Sequence, residues 1–164
     1  MPLSRKLNTV PETIGSGQIV VESTAGNGSL VIPENVYSIC VVAVGKGGAA
    51  SSGVAGLAGG AGALAYKNNI AVWPGQSIPY TFDTSTQLVF PQLTVTANNG
   101  TRGEAGQNGG APADDYDGGG SGGDGQGEFY GGGAGGYSGD GGRAFNGLNT
   151  IEASGGAGQY GGDA

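Results

Sequence analysis

Few residues in this chain could do chemistry. Among its 164 residues there is no histidine and a single cysteine, Cys40. Histidine-based acid–base pairs and the usual Cys/His zinc sites are therefore excluded. An intrachain disulfide has no second sulfur. The reactive groups that remain are carboxylates, and Asp114, Asp115, Asp117 and Asp124 lie close together. Carboxylate oxygens suit calcium, and paired carboxylates can cleave glycosides. Acids scattered through a loop lack the fixed opposed geometry that either task needs. A solvated acidic loop is the simpler reading. No metal ligand, cofactor or catalytic residue is assigned, and an enzyme is not expected.

Two glycine motifs come close to known ligand signatures and fall short. Gly45-Lys46-Gly47-Gly48-Ala49-Ala50 follows an apolar run and fits G-x-G-x-x-A. The dinucleotide fingerprint also needs a helix, a βαβ unit and a downstream acid, and none is present. Gly119-Gly120-Ser121-Gly122-Gly123-Asp124 opens like a calcium-binding nonapeptide. Gln126 stands where that repeat needs a large apolar residue, and no second copy follows.

Aromatic side chains are the other candidates. Beyond residue 100 they are Tyr116, Phe129, Tyr130, Tyr137, Phe145 and Tyr160, scattered apart from the Phe129-Tyr130 pair. Planar rings beside polar groups suit saccharide stacking. They would equally serve to cap glycine layers or to pack against neighbouring chains, and the residues alone leave both open.

These candidates are carried on an uneven chain. Residues 1–100 hold 14 of the 39 glycines, and residues 101–164 hold 25. Charge divides at the same place. The first part is balanced, and the second carries the whole net charge of −7. Nucleic acid is therefore not an expected partner, because binding phosphates needs cations. No stretch approaches the apolar length of a membrane helix, so membrane insertion is not expected. Met1 to Lys6 are followed by no apolar run, which argues against a secretory signal.

The periodicity predicts an all-β fold without α-helix. Residues 1–16 read as an arm, 17–100 as a β domain and 101–164 as an acidic glycine-rich extension. Strand-like runs at Gln18 to Ser23 and Ser29 to Ile32 flank Gly26-Asn27-Gly28 and predict a hairpin. Tyr37 to Val44 is apolar almost throughout, which predicts a strand buried on both faces, with Cys40 buried in it. Pro74-Gly75 signals a turn. Pro79 and Pro91 predict edge positions. For the glycine-rich part, three states are weighed. A flexible spacer is the compositional default. Collagen is excluded, because Pro112 is the only proline there. Packed polyglycine II helices would let backbones approach closely and bond to one another.

One run is more specific than composition. Ser29 to Gly48 gives a short strand, a Pro-led turn, a β-branched strand, then Val-Gly and a glycine run. Gly59 to Tyr66, Val72-Trp73-Pro74-Gly75-Gln76 and the glycine clusters from Gly118 to Gly162 follow in order. In this the chain resembles the glycine-rich domain of bacteriophage tail-fibre and other virion proteins. It is similar to the layered polyglycine tip adhesins of T-even-like phages. The resemblance implies a small antiparallel β-sandwich-like unit with glycine-rich loops, located in the virion. It implies a tail or fibre component that meets a host saccharide or outer-membrane protein, or alternatively a capsid or tail decoration protein. Receptor-binding candidates are then Asp115, Tyr116, Asp117, Phe129, Tyr130, Tyr137, Arg143 and Phe145. Attachment to other virion proteins falls to Leu3, Arg5, Lys6 and Leu7 in the arm. A homo-oligomer is expected, a trimer by analogy with fibres.

Overall fold

A computed structural model describes residues 17, 19, 21, 26–51, 57–102, 110–125 and 131–142. None of the described residues is helical, and the fold is all-β. Among the described residues eight strands form two antiparallel sheets. They are β1 (Gly28–Val31), β2 (Ser38–Val44), β3 (Leu64–Ala71), β4 (Ser77–Phe82), β5 (Ser85–Val89), β6 (Thr94–Asn98), β7 (Pro112–Asp114) and β8 (Gly118–Gly120). The larger sheet has the order β1-β4-β5-β6-β7 and the smaller β2-β3-β8.

The two sheets face each other through small side chains. Ala43 and Ala65 from the smaller sheet and Val95 and Ala97 from the larger are buried in one cluster with Ile32, Ile70, Val72, Ile78 and Phe90. Alanine where a sandwich would usually carry leucine lets the layers approach closely. Thr86 Oγ1, inside the larger sheet, donates to the Val44 carbonyl of the smaller at 2.7 Å. The Trp73 to Gln76 turn carries the chain between sheets. Gly75 has φ 79°, and Gln76 N donates to Trp73 O at 3.0 Å. This is a type II turn with proline and glycine in the predicted places. The buried Gln76 side chain closes it, its Oε1 accepting from Trp73 N at 3.1 Å.

Several expectations are corrected. β2 is half-buried: Val41 and Ala43 face the core, while Val42 and Val44 face outward. Cys40 is exposed, because it shares the outward face of β2 with Val42 and Val44; the register shift between Ile39 and Val41 places its extra residue on β3, at Asn68-Asn69. Pro79 lies in β4, an interior strand, one residue before pairing with β5 begins at Tyr80. Its missing N–H therefore falls where β4 is paired with β1 alone. Pro91 is in the bend between β5 and β6, at no strand edge. Of the predicted hairpin, Ser29 to Ile32 contributes β1, which pairs with β4. Most of its other arm lies outside the described residues.

Glycine-rich segments from both sides of residue 100 form one hydrogen-bonded array. Segment 58–63 is at its centre. Gly60 N donates to Thr101 O at 3.1 Å, and its carbonyl accepts from Gly48 N at 2.7 Å. Ala63 addresses the same two neighbours, through Asn98 O at 3.1 Å and Gly45 N at 2.8 Å. Ala61, between them, instead bonds Gly123 O at 3.0 Å and Gly110 N at 2.8 Å, and Gly62 O accepts from Gly135 N at 3.1 Å. Residues three apart face the same neighbour, and successive residues face different ones. That is the bonding of packed three-per-turn extended helices. Further out, Gly123 N bonds Gly133 O at 2.8 Å, and Gly133 N bonds Gly142 O at 2.9 Å. A β-carbon on Gly62 would collide with the Gly45 carbonyl, and one on Gly123 with that of Gly142. β7 and β8 likewise join sheets whose other strands precede residue 100. Among the described residues, the 17–100 part and the glycine-rich part are interleaved.

Candidate functional site

The acidic loop runs between the two sheets, and its carboxylates are engaged in holding it there. Asp114, with φ 63°, accepts from Thr96 Oγ1 at 2.6 Å. Asp115 N donates to Thr94 O at 2.9 Å, and its Oδ2 lies 3.4 Å from Thr94 N. Asp117 bonds Lys67 Nζ at 2.7 Å and Asn68 N at 2.8 Å, so it ties the loop to β3. The Lys67 hydrogen bond, with that from Asn68, holds the Asp117 carboxyl below its usual range. Among the described residues no three acidic side chains converge as a metal site would require. Of the predicted recognition residues in this loop, Asp115 and Asp117 thus brace the backbone. Tyr116, between them, is 44% exposed.

Tyr137 projects from a tight turn closed by Gly136 N donating to Gly139 O at 3.0 Å. Its ring meets that of Tyr66, with centroids 5.7 Å apart and planes at 43°. Tyr66 is seated on glycine. It stands opposite Gly118 across the β3–β8 pair, and a β-carbon there would lie 2.6 Å from Tyr66 Cζ. The same device recurs on the other sheet. Gly28 stands opposite Tyr80, whose ring meets Phe82 at 5.6 Å. An aromatic side chain lying across a facing glycine shields backbone that glycine leaves open.

Tyr116 and Tyr137 are therefore the predicted recognition rings that the described structure displays. Phe129, Tyr130, Arg143 and Phe145 lie outside the described residues, as do Leu3, Arg5, Lys6 and Leu7 of the arm. Four exposed apolar or aromatic residues escape a reading of the sequence. Tyr37 and Trp73 are 66% and 54% exposed, at the crossover between the sheets. Val42 and Val44 sit on the outer face of β2. Alternation within the apolar run 37–44 is invisible in sequence, because both faces carry valine, isoleucine or alanine.

Comparison with known protein families, with characterised proteins and with solved structures finds no match.

Proposed function

We propose that this protein is a non-enzymatic component of a bacteriophage particle, located in the virion, that recognises the host surface. The carrying observation is the array around segment 58–63, a hydrogen-bonded backbone scaffold from which loops project. Glycine used this way fixes loop positions without a large apolar core. Carboxylates fasten the loop 114–117 to both sheets, and its one ring, Tyr116, stays free for a partner. A host saccharide suits such a ring; an outer-membrane protein is the other candidate receptor. The arm 1–16 is the proposed tether to other virion proteins.

Binding of the purified chain to intact bacterial cells tests the reading, with Tyr116→Ala and Tyr130→Ala alongside. Saturable binding weakened in either variant is the expected result. A folded protein that binds no susceptible cell would leave the decoration or cement role. Particles that fully incorporate a chain lacking residues 1–16 would overturn the tether.

A further inference from the structure

Two described positions carry the dipeptide Asn-Gly, Asn27-Gly28 and Asn99-Gly100. The dipeptide is chemically labile, because glycine's missing β-carbon lets its amide nitrogen approach the preceding side chain. Once hydroxide has removed its proton, that nitrogen attacks asparagine Cγ. The N–Cγ bond forms, the Cγ–Nδ2 bond breaks, and ammonia leaves with a proton taken from water. One water then opens the cyclic imide to aspartate or isoaspartate. The balance is one water in and one ammonia out, with nothing oxidised or reduced. The reaction needs an unbonded glycine amide, a side chain able to swing over it, and room for the ring.

We infer that Asn27-Gly28 is a deamidation site of the folded protein, and that the glycine array keeps Asn99-Gly100 from the same reaction. At Asn99 the fold denies every requirement. Gly100 N donates to Lys46 O at 2.8 Å. The side chain is held at both ends, Oδ1 accepting from Lys46 N at 2.8 Å and Nδ2 donating to Asp83 O at 2.6 Å. Gly100 is buried, and a β-carbon there would strike the Gly60 carbonyl. Asn27 differs on each count. Both it and Gly28 are exposed. Its Oδ1 accepts from Phe82 N at 2.7 Å, and among the described residues Nδ2, the leaving group, has no partner. A donor on Oδ1 also favours the attack, because negative charge develops on that oxygen. Gly28 pairs with Tyr80 in the first rung of β1, a border strand, and strand ends open most readily. The products differ in consequence. Aspartate at 27 would still accept from Phe82 N, whereas isoaspartate would add a methylene to the backbone ahead of β1. At Asn99 either product would lose the amide that donates to Asp83 O, so the array shields one of its own fastenings.

Incubation of the full chain at mildly alkaline pH, sampled by peptide mass spectrometry, tests this. Asn108-Gly109 and Asn146-Gly147 lie outside the described residues and are followed as separate peptides. In the folded protein Asn27 is expected to deamidate at least about tenfold faster than Asn99, because a strand end opens more readily than the array. In denaturant the two rates should agree within about threefold, since both dipeptides are then equally accessible. Amide hydrogen exchange should likewise be faster at Gly28 than at Gly100. Equal deamidation rates in the folded protein, whether fast or slow, would overturn the inference. So would a rate ratio that persists in denaturant, which would assign the difference to neighbouring residues and not to the fold. Slower exchange at Gly28 than at Gly100 would also overturn it.

Discussion

Asp117 is the residue whose surroundings most clearly set its properties. It pairs with Lys67 and caps the Asn68 amide at the surface. Its carboxyl titrates below the usual range, so this contact is complete at neutral pH and is lost only as pH falls through the lowered value. Lys67→Ala should move the Asp117 midpoint upward, read by carboxyl NMR across an acid titration. An unchanged midpoint would show that Asn68 alone holds it down. The stability effect should be small, because an exposed ion pair gains little over its hydrated partners. Gly118 has the opposite character, with no chemistry and a strict steric role. Gly118→Ala should push the Tyr66 ring off its seat and break its contact with Tyr137. Loss of the Tyr66–Tyr137 ring NOEs would register this, and their persistence would refute it.

The three-residue bonding period of the glycine segments makes a prediction at the level of the element. Gly47 and Gly48 are sequence neighbours in one segment. A β-carbon at Gly48 would strike the Thr101 carbonyl, whereas at Gly47 the nearest atom is Gly60 O at 3.9 Å. Gly48→Ala and Gly62→Ala should therefore destabilise by about 1–3 kcal/mol, as overpacking does. Gly47→Ala should fall within about 0.5 kcal/mol of wild type. Denaturant unfolding of the three variants separates the cases. Equal losses at all three positions would mean that glycine acts here through backbone freedom and not through spacing.

For the whole molecule, the array ties together stretches far apart in the chain. The central segment 58–63 satisfies its polar groups through 45–48, 98–101, 110, 123 and 135. A fragment ending at residue 102 would keep six of the strands but strip Ala61 and Gly62 of their partners. Each lost backbone hydrogen bond costs about 0.5–1.5 kcal/mol net, and more where the group stays buried. The fragment should lack a cooperative thermal transition, while the full chain unfolds in one. Calorimetry decides between them, and a fragment melting like the intact chain would show the two parts to be independent.

Much of the fold was legible in local sequence. β-branched runs marked β1 and β2, and Pro74-Gly75 marked its turn, because strand propensity and turn dihedrals are properties of neighbouring residues. The glycine content restricted residues beyond 101 to disorder or close-packed extended backbone. What sequence could not supply was pairing. Which face of β2, Cys40 included, is exposed and that Pro79 enters an interior strand both depend on pairing and packing with distant strands. The acidic loop read as solvated, and the partners of its carboxylates, Thr96, Lys67 and Asn68, are brought beside them only by the fold. An apparent boundary at residue 100 followed composition. The tertiary structure instead threads glycine segments from both sides through one array, because a backbone amide bonds whichever carbonyl lies close, regardless of its place in the chain.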